Sequence, residues 1–200
     1  MGCLKNIFKA IILVFAVIGF MSLGGKDFFI KKWNEIVHPP QDIMLERAKK
    51  VGDFSKVGEE YEIDKAASAL GYNGVLAEHK ASGQKMIVVD SGKKILLLPQ
   101  DFKDKTVDKK LQDLTEKFKY QFVNLQDLKI TKKGFINTFN KKAPYVRFEA
   151  KANKLPVGEI KGIVSAVETS SGEVKVLVSV NEKEKYSQLI AEDFFKKVKE

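Results

Sequence analysis

An uninterrupted apolar run from Ala10 to Leu23 is the feature that most constrains what this chain can form. Two lysines, Lys5 and Lys9, precede the run, and the apolar segment extends over residues 7–25 when Lys9 reaches out to the membrane surface. A membrane-spanning helix needs about 20 such residues, and no similar run recurs later in the sequence. The pattern therefore predicts a membrane-anchoring helix, residues 1–25, that contacts the lipid bilayer through residues 7–25.

A cleaved export signal is the alternative for the same segment. The small residues Ser22 and Gly24 occupy the positions that a signal peptidase requires, and cleavage there would leave Gly25 as the new first residue. The site departs from the Ala-x-Ala pattern, so we favour an uncleaved anchor. A basic start followed at once by an apolar core is typical of exported chains. We therefore predict a single-pass protein of the cell membrane whose bulk is extracytoplasmic.

Residues 26–40 are predicted to form an amphipathic linker beside the membrane. Phe29 and Trp33 lie about one helical turn apart, with two lysines between them. Aromatic side chains beside lysines suit the lipid headgroup layer. The predicted membrane-interface residues are Lys5, Lys9, Phe29 and Trp33. Pro39 and Pro40 end the linker, because proline lacks an amide hydrogen and disfavours helix at the residue before it.

The composition argues against nucleic acid as a partner. The chain has 35 Lys and Arg residues against 26 Asp and Glu residues, and its net charge is +9. Arg47 and Arg147 are the only arginines, whereas base readout and tight phosphate binding favour arginine over lysine. The lysines alternate with acidic residues along the chain, as expected of a solvated surface. Cys3 is the only cysteine, so an internal disulfide is excluded.

The hydrophobic pattern after the linker predicts an α+β fold built from two similar units, 41–99 and 100–200, each of which runs from helix to antiparallel meander. The two units form either two small domains or one domain with a continuous sheet. In the first unit, we predict helices at about Gln41–Val51 and Glu60–Leu70 and strands at Val75–Lys80, Lys85–Asp90 and Lys94–Leu98. We expect the helices to pack on one face of the sheet.

The second unit ends in a helix. We predict helices at Thr106–Lys119 and Lys183–Val198 and strands at Tyr120–Ile130, Phe135–Phe139, Tyr145–Ala152, Glu159–Glu168 and Glu173–Val180. The sequence Lys132-Lys133-Gly134 is interpreted as the turn between the first two of these strands.

The strand that begins at Tyr145 carries the predicted partner-binding site. Strict alternation puts Val146, Phe148, Ala150 and Ala152 on one face. The other face carries the predicted binding residues Tyr145, Arg147, Glu149 and Lys151. Exposed Tyr and Arg side chains often anchor protein partners. With helices on the opposite face only, this face is expected to stay open.

No motif in the sequence indicates catalysis, a metal or a cofactor. His79 and Glu78 are adjacent on a predicted strand and therefore point to opposite faces. Asp90 and Asp101 are better explained by turn and cap positions than by acid–base chemistry. We predict a non-enzymatic, membrane-anchored binding or envelope-associated module whose partner is an unknown protein or envelope polymer. Two alternatives stay open: a membrane-linked enzyme that uses carboxylates and lysines, and a cytoplasm-facing accessory subunit of a membrane complex.

Overall fold

The computed structural model describes residues 41–69, 72–90, 97–103, 106–118, 125–152 and 158–200. The predicted anchor, residues 1–25, and the predicted linker, residues 26–40, lie outside these ranges, so both stay predictions. None of the helices within the described ranges has the length and apolar character needed to cross a bilayer.

The described part of the chain contains four helices and seven strands, which makes the fold α+β, as predicted. The helices are α1 (Gln41–Lys49), α2 (Pro99–Lys103), α3 (Thr106–Phe118) and α4 (Gln188–Lys197). The strands are β1 (Tyr61–Ala69), β2 (Tyr72–His79), β3 (Lys85–Asp90), β4 (Leu125–Thr138), β5 (Lys141–Ala152), β6 (Glu159–Glu168) and β7 (Val174–Glu182).

All seven strands belong to one antiparallel sheet with the order β1-β2-β3-β7-β6-β5-β4. The pairing of β3 with β7 runs from Lys85 opposite Val180 to Asp90 opposite Lys175, and it joins the two meanders edge to edge. The strand predicted at Lys94–Leu98 falls mostly outside the described residues, and β7 occupies the position next to β3. The two units that the sequence indicates therefore share a single sheet.

Helices cover both faces of this sheet, so the expectation that they pack on one face is wrong. The first core contains side chains of α1 and α4, among them Phe194, together with Tyr145 of β5. The second core contains Phe102 of α2 and Val107 of α3, together with Val146 of β5. Because Tyr145 and Val146 are adjacent on a strand, the two cores lie on opposite sides of the sheet. The central strands are apolar on both faces, and each face therefore needs a cover.

The segment predicted as a helix at Glu60–Leu70 is instead strand β1. A β-bulge between Ile63 and Lys65 inserts one extra residue into its pairing with β2. As a result, Ile63 and Ala66 face the same core although they are three positions apart. This spacing imitates the period of a helix, which explains why the sequence pattern was misleading.

The turn predicted at Lys132-Lys133-Gly134 is also wrong, since β4 continues without a break from Leu125 to Thr138. The β4–β5 hairpin turns instead at Phe139 and Asn140, whose φ angles are 47° and 56°. Gly134 lies opposite Tyr145, and a Cβ atom at Gly134 would stand 2.8–2.9 Å from the Tyr145 ring and hydroxyl. The glycine is therefore needed for close approach of an aromatic ring to the strand.

We expect Gly134→Ala to lower the free energy of unfolding by about 2 kcal/mol, because the added methyl group would push the ring of Tyr145 out of the first core. Urea denaturation of the full-length protein measures the change. Lys132→Ala, at an exposed position of the same strand, is the control and is expected to stay within about 0.5 kcal/mol. Equal stability of both variants would contradict the described position of Tyr145.

Candidate functional site

The four residues predicted to bind a partner lie on one face of β5, but the structure divides them into two halves. Helix α4 packs over the half that carries Tyr145 and Arg147. The half that carries Glu149 and Lys151 extends beyond the helix and remains accessible to solvent. We refer to the first half as the inner polar cluster, formed by Tyr145, Arg147, Tyr186, Gln188 and Glu192. The second half is the outer groove, lined by Asp127, Lys129, Glu149, Lys151, Glu159 and Lys183 and joined by Lys161, which pairs with Glu149.

Tyr145 is buried, with 3% of its surface exposed, so the expectation that it lies on an open face is wrong. Its hydroxyl accepts a hydrogen bond of 2.7 Å from the Nε2 amide of Gln188 in the first turn of α4. The same amide donates to Oε1 of Glu192, one turn later, at 2.6 Å. Tyr145 therefore helps to hold α4 on the sheet and presents no open surface to a protein or polymer partner.

Arg147 is partly buried and makes no ion pair with any residue that the structure describes. Its Nε atom is buried and has no hydrogen-bond partner there. The hydroxyl of Tyr186 and Oε1 of Gln188 are likewise buried without a hydrogen-bond partner among the described residues. Burial raises the pKa of Tyr186, an effect that the charge of Arg147 opposes and that Tyr145 and Glu192 reinforce. The Gln188–Tyr145 hydrogen bond brings the start of α4 to the strand face that carries Arg147, because Tyr145 and Arg147 are two positions apart on β5.

Glu149 connects the lysines of the outer groove. Its two oxygens lie 3.1 Å from Nζ of Lys161 and 3.3 Å from Nζ of Lys183, and Lys183 also pairs with Glu159 at 2.8 Å. The hydrogen bonds from Lys161 and Lys183 lower the pKa of Glu149. Lys161 stands directly opposite Glu149 in the β5–β6 register, so the pairing of strands positions this contact.

The other end of the groove is formed by a bulged part of β4. Asp127 has a φ angle of 55° and lies where the register between β4 and β5 shifts. It pairs with Lys151 at 3.0 Å, and that hydrogen bond lowers the pKa of Asp127. Lys129 is exposed and has no ion pair among the described residues. The groove encloses about 160 Å³, less than the 300–1,000 Å³ typical of small-molecule sites, so it suits contact with a surface.

The pKa of Glu149 leads to a test of this charge arrangement. Because the folded-state pKa is lowered, Glu149 stabilises the fold above its unfolded pKa of about 4.3, and this contribution is lost as the pH falls through the lower folded value. We expect a carbon-detected NMR titration to give a Glu149 midpoint below 4.3, and Lys161→Gln to raise that midpoint. The Asp127 midpoint, which depends on Lys151, is the internal control and should not move. An unchanged Glu149 midpoint in the variant would contradict the described pairing.

The acidic residues that the sequence offered for acid–base chemistry each have a separate partner. Asp90 pairs with the buried Lys175 at 3.1 Å, and Asp101 pairs with Lys110 at 2.7 Å. Asp101 also accepts a hydrogen bond from the backbone of Leu98, which is a turn contact. The described contacts give these carboxylates structural roles.

His79 is the last residue of β2, and its side chain contacts the turn that follows. Its Nδ1 atom lies 2.9 Å from Oγ of Ser82, and its ring packs edge-on against Tyr61. No group of three or more His, Cys, Asp or Glu side chains able to hold a metal occurs within the described ranges. The predicted membrane-interface residues Lys5, Lys9, Phe29 and Trp33 lie outside these ranges.

Several residues of the two halves were not predicted from the sequence. Lys161 could have been found from the β5–β6 hairpin pairing, because the register puts it opposite Glu149. Tyr186 and Gln188 reach the site only through the docking of α4, and no local pattern signals that contact. Comparison with known proteins gives no further guidance: no protein-family model matches the chain, and no curated protein has a significantly similar sequence. Function is therefore inferred from the residues of this chain alone.

Proposed function

We propose that this protein is a non-enzymatic, membrane-anchored binding module whose extracytoplasmic domain contacts a protein or an envelope polymer through the outer groove. The observation that carries the proposal is the exposed alternation of lysines and carboxylates along the groove. The apolar run from Ala10 to Leu23 supports the anchor, and the basic start supports its orientation.

The ion pairs of the groove suit exchange with a partner. Exposed ion pairs contribute only about 0–1 kcal/mol each, because water and salt screen them. A partner that presents anionic groups can therefore take Lys151 from Asp127, or Lys183 from Glu159, at little cost. Lys129 is already available among the described residues. Complementary charge of this kind accelerates association and selects the partner more than it strengthens binding.

Membrane orientation is tested by protease treatment of intact cells that carry the full-length protein with a tag after Glu200, with the mass read on the same samples. Digestion from outside at full-length mass is the expected result. A mass that corresponds to a start at Gly25 would replace the anchor by a cleaved signal. Protection until the membrane is lysed would contradict the proposal and favour a cytoplasm-facing accessory subunit.

The binding surface is tested by photo-crosslinking in the same cells. A photoreactive residue at Lys129 or Lys151 is expected to form a discrete adduct, and Lys183→Glu is expected to weaken it about tenfold or more. A photoreactive residue at Lys196, an exposed position of α4 outside the groove, is the matched control. Identical adducts from Lys196 and Lys129 would contradict the assignment of the groove. Substitution of Tyr145 is unsuitable here, because its burial confounds binding with folding.

A further inference from the structure

The unpaired polar atoms of the inner polar cluster need a partner. A buried polar atom without a hydrogen bond costs about 1–3 kcal/mol, and native proteins keep few of them. Here three such atoms, Nε of Arg147, the hydroxyl of Tyr186 and Oε1 of Gln188, belong to residues at the start of α4 and on the strand face that the Gln188–Tyr145 hydrogen bond joins to it. A concentration of this kind indicates a site that something else completes.

The unpaired groups are mainly donors. The Nε–H group of Arg147 and the hydroxyl of Tyr186 can each donate a hydrogen bond. The Tyr145 hydroxyl accepts its hydrogen bond from Gln188, so its own proton also remains available. Together, one guanidinium N–H and two phenolic hydroxyls can donate hydrogen bonds to a group that presents two terminal oxygens.

The charge around the cluster limits the ligand further. Glu192 lies on the same side of α4 and accepts a hydrogen bond from Gln188. One fixed negative charge beside one positive charge disfavours a doubly charged ligand such as inorganic phosphate. We propose that the inner polar cluster binds a singly charged oxyanion group, either a carboxylate or a phosphodiester, through Arg147, Tyr145 and Tyr186. This site deepens the proposed binding function, because it names a ligand chemistry for the inner half of the same strand face.

The two arginines of the chain make the test direct. In a proton–nitrogen NMR spectrum of the full-length protein in a non-ionic detergent, Arg47 and Arg147 give two Nε–H signals, which Arg47→Lys and Arg147→Lys assign. Sodium acetate and sodium dimethyl phosphate are the probes. We expect at least one of them to shift the Arg147 signal with saturation, at a dissociation constant on the order of millimolar. The Arg47 signal is the internal control.

Variants separate the site from a general charge effect. Tyr186→Phe removes one donor and keeps the ring, so we expect binding to weaken about tenfold. Tyr61→Phe, which removes a hydroxyl that already bonds to Asp193 on the same sheet face, is the matched control and is expected to bind normally. If neither probe shifts the Arg147 signal with saturation, or if Tyr186→Phe binds as the native protein does, the inference is overturned. If Glu192 or water alone satisfies the unpaired atoms, neither probe will shift the Arg147 signal with saturation.

The source of the oxyanion is found by repeating the measurement in lipid nanodiscs. A bound-state Arg147 signal with phosphatidylglycerol, absent with phosphatidylcholine alone, identifies a lipid headgroup. An unbound Arg147 signal in both lipids, with saturable binding of acetate, identifies a carboxylate carried by a soluble or protein partner, because both lipids carry a phosphodiester. Both outcomes support the oxyanion site. The titration does not depend on membrane orientation, so its failure would leave the anchored, extracytoplasmic domain to be judged by the protease experiment.

Discussion

Phe194→Ala is expected to lower the free energy of unfolding by about 3–5 kcal/mol, because this ring fills the centre of the first core. Phe194 is fully buried, and its ring centroid lies 5.1 Å from that of Tyr61, 5.5 Å from that of Phe195 and 6.2 Å from that of Phe54. These rings come from α4, β1 and the segment after α1, which cannot all move in to fill the cavity. The loss should therefore fall in the upper part of the range for large-to-small substitutions.

Leu189→Ala is the matched control for Phe194→Ala. Leu189 lies on the same helix but 77% of its surface is exposed, so we expect a change within about 0.5 kcal/mol. Urea denaturation of the full-length protein measures the free energy of unfolding of both variants, with far-ultraviolet circular dichroism as the signal for loss of secondary structure. A loss below about 1 kcal/mol for Phe194→Ala would contradict the docking of α4 on the sheet.

Gln84→Ala is expected to lower the free energy of unfolding by about 3 kcal/mol, although glutamine is rarely a core residue. Gln84 is fully buried just before β3. Its Nε2 amide donates to Oγ of Ser179 on β7 and to the backbone oxygen of Ser187, each at 2.9 Å. Its Oε1 atom accepts from the backbone amide of Ser187 at 2.8 Å. Ser187, the N-cap residue of α4, makes no side-chain cap, and Gln84 holds its backbone N–H and C=O from another part of the chain.

Two further variants separate the hydrogen bonds of Gln84 from its volume. Gln84→Met keeps most of the volume but none of the polar atoms, and we expect it to lose about 2 kcal/mol. Ser179→Ala removes one of the three hydrogen bonds and is expected to lose about 1 kcal/mol. The same urea measurement applies to both. If Gln84→Met is as stable as the native protein, the bonds to Ser187 contribute nothing, and the proposed hold of Gln84 on the start of α4 is contradicted.

The parts of the fold that were predicted correctly are those that local pattern determines. The β6–β7 hairpin follows from the alternating valines of β7 and the turn-forming sequence Ser170-Ser171-Gly172, in which Gly172 has a positive φ angle of 81°. Helix α3 follows from apolar residues at helical spacing, and it begins at Thr106 and ends at Phe118, close to the predicted bounds.

The parts that were not predicted depend on contacts between distant segments. The bulge at Ile63 gave β1 a helical spacing, and only its pairing with β2 shows the strand. Gly134 resembles a turn residue in sequence, but its function is to admit the ring of Tyr145. The same ring was expected on an open face, and its burial depends on α4, which joins the sheet from the end of the chain. The predicted site residues thus share one strand face, whereas the segments that surround them could not be predicted from the sequence.

The position of β7 between β3 and β6 has a consequence for the order of assembly. Gln84 and Ser179, which meet where these strands pair, are 95 residues apart in the chain. Before β7 pairs, β3 and β6 each lack a neighbour on the strand edge that β7 covers in the folded sheet. Pairing over such a separation gives high contact order, which slows folding. Maturation of the domain is therefore a late event, and a nascent chain that stops before Val174 exposes two edges prone to aggregation.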